Sequence, residues 1–175
     1  MNYPWYKEID SGLVQGDLIP ECPIIIPPEN LSDNSEYEFD IEKLDVIVLS
    51  QSCDIENSKI RNVLVCPYYP IPDYFASHPD NMNSEKSQIK EIKKLGEGNQ
   101  PGYHLLNKQI DILTECQVVD FKNVYAVNIK FLRNYINSLS PRYRMNSPYR
   151  EHLSQAFARF MMRVGLPQSI DCFNK

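Results

Sequence analysis

Apolar and polar positions are most sharply sorted in the middle of the chain. Residues 46–49 (VIVL) and 63–66 (VLVC) are short runs rich in β-branched residues, each bounded by polar or turn-forming positions. Runs of that length predict strands, and their continuous apolar character predicts cover on both faces. They are the expected central pair of a sheet. Between them, residues 50–61 hold Ser50, Gln51, Ser52, Cys53, Asp54, Glu56, Asn57 and Arg61. A polar connection held rigid by two buried strands is where a scaffold presents functional groups.

The same pattern predicts a strand over 13–20, interrupted by a Gly16-Asp17 turn, and another over 22–28, stopped by Pro27 and Pro28. Further strands are expected over 103–106, 117–121 and 124–127. The aromatic, proline-rich passage 68–75 reads as a surface-hugging loop, and acidic residues 29–40 as a solvated one. Tyr3, Trp5 and Tyr6 read as a clip anchoring the N-terminal residues.

Helical spacing appears over 84–95, where Ile89, Ile92 and Leu95 recur and Gly96 stops the run. A second helix is expected over 129–139, ended by Ser140 and Pro141. The third, over 147–165, has Ser147 as N-cap, Pro148 at its first position and Gly165 past its end. Its predicted buried stripe is Tyr149, Leu153, Phe157, Phe160, Met161 and Val164. His152, Gln155, Arg159 and Arg163 fall on a neighbouring polar face. The expected fold is mainly β with helices, in one domain over 1–175. Its parts are a barrel over 13–128 with a helical insertion near 84–95, and a helical extension over 129–165.

Thirteen prolines against six glycines suit a β-rich body with rigid loops. A net charge of −5 argues against a generally basic nucleic-acid-binding surface. No apolar run of membrane-spanning length occurs and no secretory signal opens the chain, so a cytoplasmic protein is expected. Five cysteines without CxxC spacing predict free thiols in a reducing compartment, with no metal and no cofactor.

No glycine-rich phosphate loop, HExxH or GxSxG motif occurs. Cys53 adjoins Asp54, whose charge opposes thiolate formation, so a structural cysteine is expected. His104 lies in an aromatic and apolar strand and reads as a packed histidine. Arg142, Arg144, Arg150, His152, Arg159 and Arg163 form a basic constellation. Two readings stand open: contact with phosphate or an acidic partner, or docking of the helix onto carbonyls and carboxylates. The predicted binding residues are Ser50, Gln51, Cys53, Asp54 and Arg61 on the connection, with Arg159 and Arg163 on the helix.

Gly16-Asp17 on an early strand, then DVIVLSQS, a turn and NVLVCPYY, resembles the core of the MazF/PemK family over residues 13–70. The SQSCD segment and the RVGLP ending also resemble further bacterial proteins. The first resemblance implies an SH3-like β-barrel, a bacterial toxin–antitoxin or phage-defence setting, and a possible homodimer. In that family an arginine, typically followed by proline, precedes the first matched strand, and a threonine or serine ends the next. Here Leu44-Asp45 and Pro67-Tyr68-Tyr69 stand at those places. Neither leucine nor tyrosine can replace a guanidinium acting on phosphate. The resemblance therefore implies an accessory or regulatory binding module, lacking the toxins' catalysis, that takes a partner protein or nucleic acid. The alternative is a metal-independent endoribonuclease with a relocated active site.

Overall fold

The structure, a computed structural model, describes residues 3–30, 39–79, 82, 84–139 and 141–162. Its strands are β1 (Tyr6–Ile9), β2 (Asp17–Ile26), β3 (Asp40–Val48), β4 (Asn62–Pro70), β5 (Tyr103–Leu106), β6 (Gln117–Asp120), β7 (Tyr125–Asn128) and β8 (Arg142–Met145). The helices are α1 (Ser52–Glu56), α2 (Ile71–Ala76), α3 (Glu85–Gly96), α4 (Ile129–Ile136) and α5 (Tyr149–Met161). The strands form one antiparallel sheet in the order β1-β8-β2-β3-β4-β6-β5, with β7 also paired to β4.

The two apolar runs form neighbouring strands in the middle of this sheet. Ile47 of β3 lies opposite Cys66 of β4, and Val48 opposite Val65. Side chains alternate between faces along a strand. Val46, Val48, Val63 and Val65 accordingly enter one core with Leu132 and Ile136 of α4. Ile47, Leu49 and Cys66 enter a second core with Phe121 and Leu153 of α5. Burial is nearly complete along both runs except at Leu64, which is 38% exposed, so the expected cover on both faces fails there. Each buried Val, Leu or Ile side chain is worth about 1.5–3 kcal/mol.

Several expectations are revised. β1 and β5 end the sheet, so it stays open and the closed barrel is not formed among the described residues. Residues 13–28 give one long strand, β2, whose register shifts between Ile19 and Cys22, where Glu21 has a φ of 47°. The N-terminal clip is a strand: β1 pairs with β8, and Trp5 stacks on Tyr149 with centroids 3.8 Å apart. Because β8 lies between β1 and β2, the segment over 129–165 is not a purely helical extension. Residues 68–75 are the end of β4 and helix α2, with Pro72 in its first turn. Proline is tolerated there because those amides lack intrahelical acceptors.

Helix α3 matches its expected span and begins with reciprocal Ser84–Ser87 capping bonds. Asn128 caps α4, its Oδ1 accepting from Lys130 N at 3.0 Å and Phe131 N at 3.3 Å. Helix α5 starts at Tyr149, after Pro148, and Ser147 is not its N-cap. Leu153 is fully buried, but Met161 is 62% exposed, so the expected buried stripe does not extend to it. Arg163, Val164, Gly165 and most of the acidic segment 29–40 lie outside the described residues.

Candidate functional site

The connection after β3 folds into the single turn α1. Leu49 N and Ser50 N donate to Leu64 O, and Leu64 N donates to Ser50 Oγ at 2.8 Å. Ser50 thus fastens the connection to β4. Gln51 O accepts from Asp54 N and Ile55 N and starts α1, while Ile55 is buried. Cys53 is exposed, with Gln51 Oε1 at 3.8 Å and Asp54 Oδ1 at 3.7 Å. This exposure overturns the expectation of a buried structural cysteine; among the described residues no histidine or cation is paired with the thiol to activate it. Asp54 lies 3.9 Å from Lys59, and the exposed Arg61 uses its carbonyl to accept from Ile129 N.

Helix α5 packs beside this connection. Gln15 joins the two, its Nε2 donating to Leu49 O at 2.7 Å and reaching Ser154 Oγ at 3.4 Å. Ser50, Gln51 and Asp54 share a groove of about 470 Å³ with Ser154, Phe157 and Met161 of the helix. The structure therefore brings the predicted connection and α5 together. It does not bring Cys53, Arg61 or Arg159 to that groove.

Arg159 faces the other flank of the helix. There a groove of about 620 Å³ runs between α5, the end of α3 and strand β5. His152, Gln155 and Arg159 line it on one wall, and Gly96, Glu97 and Gly98 on the other. A Cβ at Gly98 would come within 3.5 Å of Arg159 Nη2. Among the described residues no carboxylate pairs with Arg159. Glu97 already has Lys93 at 3.8 Å and accepts from Asn99 Nδ2 at 3.0 Å.

His104 lies at the bottom of this groove, stacked on Phe121, with no partner for Nε2. Burial, assisted by the positive charges of His152 and Arg159, pushes its pKa down to about 4. It is a neutral packed histidine at pH 7, as its sequence context suggests.

The other arginines are structural. Asp17, fully buried at the start of β2, accepts from Arg142 Nη1 at 3.4 Å, from Arg144 Nη2 at 3.0 Å and also from Arg144 Nε. Val14 N donates to the same carboxylate, and Arg142 Nη2 donates to Gly12 O. Arg150 pairs with Glu151 at 2.8 Å. For Arg142 and Arg144 the reading of bonds to carbonyls and carboxylates holds, whereas Arg150 pairs with its neighbour on the same helix, a bond that docks nothing.

A further cluster has no sequence signal, because its members come from three separate segments. His78 Nδ1 lies 2.9 Å from Tyr74 O, an acceptor, which assigns the proton to Nδ1 and leaves Nε2 to accept. Tyr103 Oη lies 3.1 Å from that Nε2 and accepts from Lys122 Nζ at 2.9 Å. Lys90, Glu91 and Lys94 of α3 border the same pocket of about 480 Å³. Burial raises the Glu91 pKa, but bonds from Lys94, Tyr74 and Gln100 outweigh it and hold the carboxyl below its usual range.

Among the described residues, no three His, Cys, Asp or Glu side chains group to hold a metal ion. No helix there is long and apolar enough to cross a membrane. Comparison with protein-family models, curated proteins and solved structures finds no match to this chain.

Proposed function

We propose that the chain is an accessory or regulatory binding module that recognises a partner protein through the groove between α5 and β5. The observation that carries this reading is the placement of Arg159. A guanidinium without a carboxylate partner among the described residues, joined by His152 and Gln155, faces an open groove in a protein of net charge −5. Such a group gains most from a carboxylate or phosphate brought to it. The sequence resemblance over residues 13–70 is the support for an SH3-like core related to MazF/PemK proteins and for a toxin–antitoxin or phage-defence setting. The groove lies on elements beyond the matched residues 13–70.

The test is a parallel pull-down from bacterial extract with the full chain and its Arg159→Glu variant, each with and without nuclease treatment. The reading expects a protein retained by the unmodified chain, indifferent to nuclease and lost with the variant. Retention of nucleic acid alone, or equal capture by both chains, rejects it.

A second reading, a metal-independent ribonuclease with a relocated site, is favoured by the Lys122–Tyr103–His78 series alone. A tyrosine hydroxyl between a cation and a histidine acceptor has the parts for proton transfer to and from a ribose hydroxyl. Cleavage of RNA in the presence of chelator, abolished by both His78→Ala and Tyr103→Phe, would put this reading first.

A further inference from the structure

Strand β5 is the last in the sheet, and its hydrogen-bonding phase follows from two flanking bonds. Phe121 N donates to Gly102 O at 2.9 Å, and these residues lie directly opposite in the β5–β6 register. Directly opposed antiparallel residues alternate between exchanging hydrogen bonds and turning them outward. His104 and Leu106 therefore bond to β6, while Tyr103 and Leu105 turn their backbone groups away from it. The other side of β6 agrees. Ile71 N donates to Cys116 O, which assigns Val118 to β4 and leaves Val119 to His104.

Tyr103 N is taken by Gln100 O at 2.9 Å. The outward groups left over are Tyr103 C=O and both the N–H and C=O of Leu105. Leu105 lines the groove that holds Arg159. The groove is thus a free strand edge walled by helix α5 on one side and by the end of α3 on the other. Walls on both sides admit one extended segment and block the edge of a second sheet. Four residues of strand span about 13 Å, room for a four-residue stretch of partner.

Charge selects the segment. Arg159 and His152 stand on the α5 wall, and the one facing carboxylate among the described residues, Glu97, is already engaged by Lys93 and Asn99. Leu95, Ala156 and Met162 supply apolar contact for the alternate side chains. We propose that β5 is the docking edge for an extended acidic peptide of a partner protein, which adds to the sheet as a further strand and sets a carboxylate against Arg159. This rests on the reading of the chain as a partner-binding module and states how the partner is held.

The test pans the full-length chain against a phage-displayed library of random dodecapeptides. The best peptide is then titrated by calorimetry into the unmodified chain and the variants Arg159→Glu and Leu105→Pro. Because Leu105 N–H is outside the β5–β6 ladder, proline there removes the outward donor without taking a bond from that ladder. Should that variant lose its fold, the same peptide N-methylated at alternate residues tests the backbone bonds from the ligand side. Enrichment in Asp and Glu is expected, with affinity falling tenfold or more for Arg159→Glu and for Leu105→Pro or the N-methylated peptide.

Loss with Arg159→Glu alone overturns strand addition and leaves the partner-binding reading standing. No enrichment, or indifference to Arg159→Glu, overturns both. Sedimentation of the free chain tests a second copy as occupant. A dimer dispersed by Leu105→Pro places a second copy on β5 and overturns the peptide proposal.

Discussion

Replacing Asp17 with asparagine keeps the shape of the side chain and removes the charge that two arginines share. Asp17 and Arg142 are 0% and 2% exposed, and Arg144 is 14% exposed at its side chain. Arg142 Nε has no partner, so this guanidinium relies on Asp17 and on Gly12 O. Breaking a buried pair by neutralising one member costs about 3–5 kcal/mol, because the other charge stays desolvated. For a chain of this size each kcal/mol moves Tm by about 2–4 °C, so Asp17→Asn should melt about 6–20 °C lower. Thermal unfolding followed by circular dichroism at neutral pH is the assay. Replacing all three side chains together, Asp17→Leu with Arg142→Met and Arg144→Met, should recover much of the loss, since no charge is then buried. A shift under 2 °C for Asp17→Asn refutes the reasoning, and with it the structural role given to Arg142 and Arg144.

Further expectations concern single positions. Ser50→Ala removes the acceptor for Leu64 N–H and should cost about 1 kcal/mol in denaturant unfolding, while binding at the α5–β5 groove stays unchanged. Gly16 has a φ of 81°, and a Cβ there would meet Arg150 Cγ at 3.1 Å and Met145 Cβ at 3.2 Å. Gly16→Ala should therefore destabilise by about 1 kcal/mol or more, and an unchanged midpoint would contradict this backbone placement. His104 titrates near 4 when folded against an ordinary 6.5, so the unfolded chain takes up its proton first. Its contribution is fully present above pH 6.5 and declines as pH falls from 6.5 to 4, by about 3 kcal/mol in all. His104→Gln should flatten the unfolding free energy over that interval, and an identical pH slope in both chains argues against a buried neutral histidine.

The central strands were legible because their apolar runs report burial, a property local to each segment, although the exposed Leu64 departs from cover on both faces. β8 was not. Its sequence, RYRM, alternates arginine with apolar residues, and the burial of Arg142 depends on Asp17, 125 residues earlier in the chain. Helix α2 was hidden behind Pro70 and Pro72, which signal a loop unless the helix begins between them. Helical spacing correctly put His152, Gln155 and Arg159 on one face, but spacing along a helix says nothing about which groove that face meets. The joining of Ser50–Asp54 with Ser154 and Phe157, away from Arg159, is a property of packing alone. The cluster of His78, Tyr103 and Lys122 likewise carries no periodic or motif signal, since its bonds span 25 and 19 residues.

The most direct test of the account is amide hydrogen exchange at two adjacent residues of β5, resolved by NMR in the free chain and with the selected acidic peptide bound. His104 N–H bonds to β6 and should be protected in both states. Leu105 N–H faces the groove and should exchange quickly in the free chain, then gain protection when the peptide binds. Leu105 protected from the outset, or exchanging equally fast with the peptide bound, would contradict a free strand edge that takes its partner by strand addition.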